Sequence, residues 1–396
     1  MDRIRIRVRR EGTRSIRFPA IIFVVLCAVA ATTSACTGSA GAAPAARDTA
    51  PAARDTAPAA RDTAPAARDT ARVASAAVHG CKTSVSLPKD EAPHSASVEW
   101  WYFSGHLSGT DAKGHVHTYG YEYVIFQLLG IASKPVYLGN LSVTDLARKA
   151  FKFAGEEAFY PVPKTPNRFA LHAGSWTMSG ASGTDTLKAA VPDYSLQLGL
   201  RTTEPAVLEG NKCGYISLAS LGSSYYYSWT SLATTGTIVD HGVTLKVTGK
   251  SWMDHQWGPM NLASGGGWDW FSTQLSNGQQ YMLFFIRNSK GQIVETAGTR
   301  VAHGGKDITY LTAASTREKV TGSWTSPATH IKYGSGWQIT VPGGQLTLIP
   351  DLRDQEVDLV NTQGTVYWEG DVAIKGKIGS ATVSGDGYTE LLPPGF

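Results

Sequence analysis

Charge is scarce in this chain: Asp, Glu, Lys and Arg together make up only 17% of 396 residues. Cysteine is scarcer, with 4 in all. A disulfide framework of the small secreted type is therefore excluded. No CxxC pair or clustered Cys/His spacing marks a zinc site, and no HExxH motif is present. No GxSxG elbow supports a serine hydrolase of that type. The one glycine cluster before an aromatic strand, "GGGWDW", lacks the strand–helix setting of a dinucleotide loop. Long helical periods are missing as well. The best helical candidate is "VTDLARKAFKFAGEEAF", residues 143–159.

What is abundant is glycine and aromatic surface: 42 Gly, 16 Tyr, 12 Phe and 11 Trp. With Thr, Val and Ser, that composition favours strands and tight turns. From Cys81 onward, short alternating runs such as "TYGYEYVIFQL", "QQYMLFFIR" and "WQITVPGGQLTLIP" are separated by Gly, Asn, Asp and Pro. They predict an all-β chain of barrels or sandwiches.

The N-terminus has a different character. An arginine-rich stretch precedes the apolar run "FPAIIFVVLCAVAA" and then "TTSAC". A basic region, a short apolar core and small residues make an export signal, not a nucleic-acid patch, and the run is short for a membrane span. Ala35 and Cys36 fit a lipobox, although Thr33 stands where Leu is usual. Residues 1–36 are thus read as a lipoprotein-type signal peptide, with an ordinary cleaved signal as the alternative. The expected location is the outer face of the bacterial cytoplasmic membrane, with a lipid on Cys36 as the contact to the membrane surface. "APAARDT" then repeats four times over residues 43–70. Its prolines forbid a coiled coil, so residues 37–80 are read as a disordered linker. Cys81 and Cys213 remain for the folded part, as one disulfide or as two free thiols.

An internal duplication organises the rest. Aligning Trp100 with Trp268 also pairs Phe103 with Phe271, Ser104 with Ser272 and Leu107 with Leu275. Further on, Trp252 falls opposite Tyr388 and Asp254 opposite Glu390. Two domains are expected, 81–262 and 263–396, with the hinge in "ASGGG" at 263–267.

The chemistry-bearing stretch is "SWMDHQWG", residues 251–258. Strand alternation puts Trp252, Asp254 and Gln256 on one face and Met253, His255 and Trp257 on the other. Acids recur beside indoles and phenols: Glu99, Asp254, Asp269, Glu369 and Glu390. A carboxyl among aromatic walls is poorly solvated and holds its proton near neutral pH. Such an acid can protonate a carbon–carbon double bond, and aromatic faces stabilise the resulting cation. The same pattern also serves to tie down buried indole N–H groups.

Together, "EWWYFSGHL", "YYYSWTSLATTGTI", "SWMDHQWG", "WDWFSTQL" and "VYWEGD" resemble the family of carotenoid 1,2-hydratases and AttH-like proteins. The resemblance spans residues 94–392 and implies two tandem lipocalin-like β-barrel domains. It also implies a hydratase, isomerase or cyclase acting without a cofactor or metal on an apolar, unsaturated, isoprenoid- or polyene-like molecule. By that resemblance Asp254 is the catalytic acid and His255 its neighbour, orienting or relaying a proton. Trp101, Tyr102, Trp252, Trp257, Trp270 and Trp368 are expected to line the substrate pocket. The alternative is a carrier that holds a lipid, pigment or quinone in the same barrel pocket unchanged.

Overall fold

The computed structural model describes residues 83–395. The expected export signal, the expected lipidation site at Cys36, the repeat tract and Cys81 lie outside them. Within them the chain is all-β, two tandem lipocalin-like barrels built from two large antiparallel sheets.

The first sheet is made of β1 (Val98–Thr110), β2 (Val116–Leu128), β3 (Val136–Asp145), β4 (Ala150–Phe159), β5 (Phe169–Ala173), β6 (Trp176–Ala181), β7 (Thr184–Val191), β8 (Tyr194–Thr202), β9 (Val207–Leu208), β10 (Tyr215–Ser217), β11 (Ser223–Asp240) and β12 (Val243–Gly258). Its order is β4-β3-β2-β1-β12-β11-β8-β7-β6-β5, with β9 and β10 added to β11. The sheet curls until its edges nearly meet, where Gly174 N–H donates to the Glu157 carbonyl across β5 and β4 at 3.2 Å.

The second sheet comprises β13 (Gly267–Leu275), β14 (Gln280–Arg287), β15 (Ile293–Val301), β16 (Ile308–Thr312) and β17 (Arg317–Val320), then β20 (Trp337–Val341), β21 (Gly344–Pro350), β22 (Glu356–Leu359), β23 (Thr365–Ile378) and β24 (Ala381–Leu392). The short pair β18 (Ser323–Thr325) and β19 (Lys332–Gly334) stands apart. The order is β16-β15-β14-β13-β24-β23-β21-β20-β17, with β22 on β23.

The predicted helix over 143–159 is instead the β3–β4 hairpin. Pairing overrides helix propensity there: every residue of 150–159 is matched to one of 136–145. The turn is fixed by Asp145, whose carboxylate accepts from Arg148 N–H at 2.8 Å, and by Lys149 at φ 52°.

The duplication seen in the sequence recurs in the strand register. Tyr102 lies opposite Asp254 and Ser104 opposite Trp252 in the first sheet. Trp270 lies opposite Glu390 and Ser272 opposite Tyr388 in the second. In both, the strand that opens the unit pairs with the strand that closes it.

Four apolar clusters result among the described residues, three of them large. Trp101, Phe103, Tyr121, Tyr123, Met178 and Leu196 are among those filling the first barrel. Phe271, Leu283, Trp337, Ile339, Leu348 and Trp368 are among those filling the second. A third joins the two sheets outside both barrels and includes Trp100, Tyr102, Tyr226, Trp252, Trp268, Trp270 and Tyr388. Strands β1 and β13 are therefore covered on both faces. That is why "EWWYF" and "WDWF" read as continuous aromatic runs and not as an alternation of apolar and polar residues.

Replacing Trp101, fully buried in the first barrel, by alanine is expected to cost about 3–5 kcal/mol of stability. Val294→Ala, at an exposed position, should change it by less than about 0.5 kcal/mol. Urea unfolding of the two variants checks this, and equal midpoints would refute the placement of the core.

Candidate active site between the two barrels

The outward faces of β1, β2, β11 and β12 meet those of β13, β14, β23 and β24, and polar groups accumulate along that seam. Asp254 sits there, 3% exposed. Its Oδ1 accepts from Ser228 Oγ at 2.5 Å and from Trp252 Nε1 at 2.7 Å; its Oδ2 accepts from Tyr226 Oη at 2.8 Å. The Tyr226 oxygen in turn accepts from Trp270 Nε1 at 3.1 Å, which ties the second sheet to the acid. Tyr102 stands beside Asp254 in register and packs edge-on to Trp270, with ring centroids 5.3 Å apart.

Burial pushes the Asp254 carboxyl up to about 7, against the three hydrogen bonds that pull it down. Among the described residues no arginine or lysine meets it. The duplicated position behaves alike. Glu390 accepts from Trp268 Nε1 at 3.2 Å and is raised to about 7, first by burial and then by the Asp254 charge. Glu122 and Glu369 are fully buried in the same seam and raised well above the usual carboxylate range, Glu122 by burial and then by Glu390, Glu369 by burial and then by Glu122 and Glu390. Glu369 accepts from Tyr102 Oη at 2.8 Å. Glu209 flanks Tyr226, its N–H donating to the Tyr226 carbonyl at 3.0 Å, and burial lifts its carboxyl to about 8. Crowding of acids without cations makes the seam a store of protonated carboxyl groups.

One cation stands at its rim. His106 Nε2 pairs with Asp371 Oδ1 at 2.8 Å, from β1 to β23. Burial alone would depress the imidazole, but Asp371, aided by Asp386 and Asp351, raises it to about 9. These residues, with Leu107, Tyr119 and others, line an open cleft of about 290 Å³. A narrow hollow of about 10 Å³, room for one water, shares His106 and Asp386 with the cleft and reaches Trp252, Ser104 and Ser272. Asp254 lines neither space; the Trp252 indole lies between it and the hollow.

The structure brings Asp254, Trp252, Tyr102 and Trp270 together and separates them from the other expected site residues. Trp101, Trp257 and His255 face into the first barrel and Trp368 into the second. A single pocket holding all of them does not exist. The physical reason is the period of two: β12 is regular through this stretch, so His255 and Asp254 point to opposite faces. His255 cannot hand a proton directly to Asp254.

His255 belongs to a different knot. Its Nε2 and His94 Nδ1 both lie 2.7 Å from Glu99 Oε1. His94 N–H and Gln127 Nε2 donate to Glu99 Oε2 at 2.8 and 2.9 Å. His255 stacks on Trp101 and His94 on Trp257, with centroids 4.4 and 4.1 Å apart. Burial lowers the pKa of His255 and favours its neutral form. Among the described residues these three side chains have metal-ligand spacing, with ligand atoms within 4.8 Å of one another. Glu99 is already saturated by hydrogen bonds. Sequence reasoning missed His94, which lies in no aromatic motif, and Glu122, whose signal was its place between Tyr121 and Tyr123. Cys213 is disulfide-bonded.

Comparison with known proteins agrees with this architecture. A sequence profile described as AttH-like matches residues 79–393. The chain belongs to the AttH-like family. Among solved structures it is similar to an AttH protein from Nitrosomonas europaea, at 24% identity and a TM-score of 0.70, covering 78% of this chain and 97% of that one. It is also similar to kievitone hydratase from Nectria haematococca, at 17% identity and a TM-score of 0.63, covering 78% and 93%. No curated protein sequence matches it. In this AttH-like chain, then, the polar seam lies between the two barrels.

Two measurements follow from the titrations. Asp254 and Glu390 are raised to about 7, and Glu209 and Asp185 to about 8. Acids raised on folding contribute stability that is complete below pH about 4 and is lost as pH rises through 7–8. His106, raised to about 9, acts in the same direction, whereas His255, lowered on folding, opposes it below about 6.5. The urea midpoint should therefore be higher at pH 5 than at pH 8.5, and a higher midpoint at pH 8.5 would refute the balance. Tyr226→Phe removes a donor to the carboxylate, so infrared titration of the Asp254 carboxyl should show its pKa moving further up.

Proposed function

We propose that this protein is a hydratase-type acid catalyst that protonates a carbon–carbon double bond of an apolar small molecule, with Asp254 as the proton donor. One observation carries the reading: Asp254 is a buried carboxyl held near neutrality by aromatic surroundings, with no cation to claim its charge. A carboxylic acid of that kind keeps its proton available near neutral pH and is strong enough to transfer it when the acceptor is an electron-rich alkene.

Protonation leaves a carbocation on the substrate. The indoles of Trp252 and Trp270 and the phenol of Tyr102 surround the acid and would stabilise that charge through their ring faces. Tyr226 and Ser228 hold the carboxylate left behind, since both already donate to it. Capture of the cation by water, with the surplus proton returned to the Asp254 carboxylate, gives hydration and restores the acid. Loss of a neighbouring proton gives isomerisation, and attack by a second double bond gives cyclisation. The hydratase among the structural relatives supports the first of these. Substrate would approach from the cleft at His106 and Asp371, displacing Trp252 from the neck. The signal-like N-terminus and Cys36 favour an exported lipoprotein that meets its apolar substrate at the membrane surface.

Ligand carriage inside a barrel is less well supported, because the inward faces of both sheets are occupied by packed aromatic and aliphatic side chains.

Asp254→Asn keeps the shape and removes the acid. Its turnover of an identified alkene substrate, followed as product of changed mass, is expected to fall by about 10²–10⁴. Turnover at the parental rate would overturn the assignment.

A further inference from the structure

The hydrogen bonds that cross the seam leave a run of buried polar atoms unmet. Both carboxyl oxygens of Glu122 lack a partner, although the residue is fully buried. Ser142 and Tyr367 are near enough to influence its titration but do not meet hydrogen-bond geometry, and the Ser142 hydroxyl is itself unpartnered. Glu369 spends one oxygen on Tyr102 and leaves Oε2 unmet; Asp371 spends Oδ1 on His106 and leaves Oδ2 unmet. The Tyr388 hydroxyl, fully buried, is also without a partner.

These atoms lie in sequence along the strands. Glu122 is opposite Ser142, Asp371 is opposite Tyr388, and Glu369 is two residues from Asp371 on the same face. Gly120 precedes Glu122 by one repeat of the pleat. A Cβ there would lie 2.5 Å from Asp371 Oδ2 and 2.9 Å from the Tyr388 hydroxyl. Only glycine lets β2 approach those two oxygens so closely. The run begins at Asp371, which lines the solvent cleft, and ends at Glu369 and Tyr102, the register neighbour of Asp254. Buried acceptors of this density are satisfied in proteins by ordered water.

We propose that the seam is a water-binding site, in which Glu122, Glu369 and Tyr388 hold a file of water that is fed from the cleft at Asp371. Its use rests on the hydration reading: each turnover consumes one water beside Asp254, and the file replaces it from the cleft. Its existence does not depend on that reading.

Magnetic relaxation dispersion of water on the full chain counts long-lived internal waters and needs no substrate. Glu122→Leu is expected to abolish part of the wild-type signal, and Tyr388→Phe to reduce it by a smaller amount. Asp254→Asn should leave it unchanged. If Glu122→Leu does not fold, Tyr388→Phe, which removes a single oxygen, carries the test. An unchanged signal in both folded variants would overturn the proposal. So would a high-resolution crystal structure in which Glu122 and Glu369 bond directly to each other with no water between them. A dry seam would leave the Asp254 assignment standing, whereas an active Asp254→Asn with its water signal intact would sink that assignment alone.

Discussion

A carboxyl group taken out of water with no cation to meet it keeps its proton, and the seam between the two barrels is organised around that constraint. Asp254, Glu122, Glu369 and Glu390 come from different strands and share one low-dielectric layer. Their neighbours are phenols, indoles and hydroxyls, which can donate to a carboxylate without cancelling its charge. Had an arginine entered the layer, each of these acids would be paired and become a structural anchor. Asp269 shows such an anchor, paired with Arg287 at 2.6 Å on the inner side of β13.

Duplication explains how such a layer arises. Two β units with the same register bring equivalent residues into one layer: Asp254 and Glu390, Trp252 and Tyr388, Tyr102 and Trp270. Each half would expose an unusual stripe of rings and acids if it stood alone. Packed together, the two stripes cover one another, and the cost of burying the acids falls on both. The halves have since diverged. Ser228 donates to Asp254, whereas its counterpart on β23, Glu369, places another acid beside Glu390. One end of the seam thus carries a well-anchored single acid, and the other a loosely satisfied cluster.

The alternation of strand side chains sorts everything else. Of two adjacent residues, Asp254 and His255, one faces the seam and the other the first barrel. The histidine then serves a separate knot with Glu99 and His94 that holds the N-terminal segment against the barrel. Trp101 and Trp257 stack on those imidazoles and leave the acid to other rings. Proximity along the chain is a poor guide to shared chemistry whenever the chain is a strand.

The sequence by itself determined the all-β class, the duplicated unit, the family resemblance and the position of Asp254 among aromatics. All of these are local patterns or repeats of local patterns, and strand periodicity is written residue by residue. It also predicted that Asp254 and His255 would face apart, a rule its own pocket assignment then ignored. The tertiary structure alone decided that the acid lies between the barrels and not inside one. It alone brought Glu122 to Glu369 and His106 to Asp371, pairs separated by more than 200 residues. It turned the expected helix at 143–159 into a hairpin, because pairing with a neighbouring strand outweighed the preferences of the segment. Which of two faces of a strand becomes a core depends on what packs against it, and that information is distributed over the whole chain.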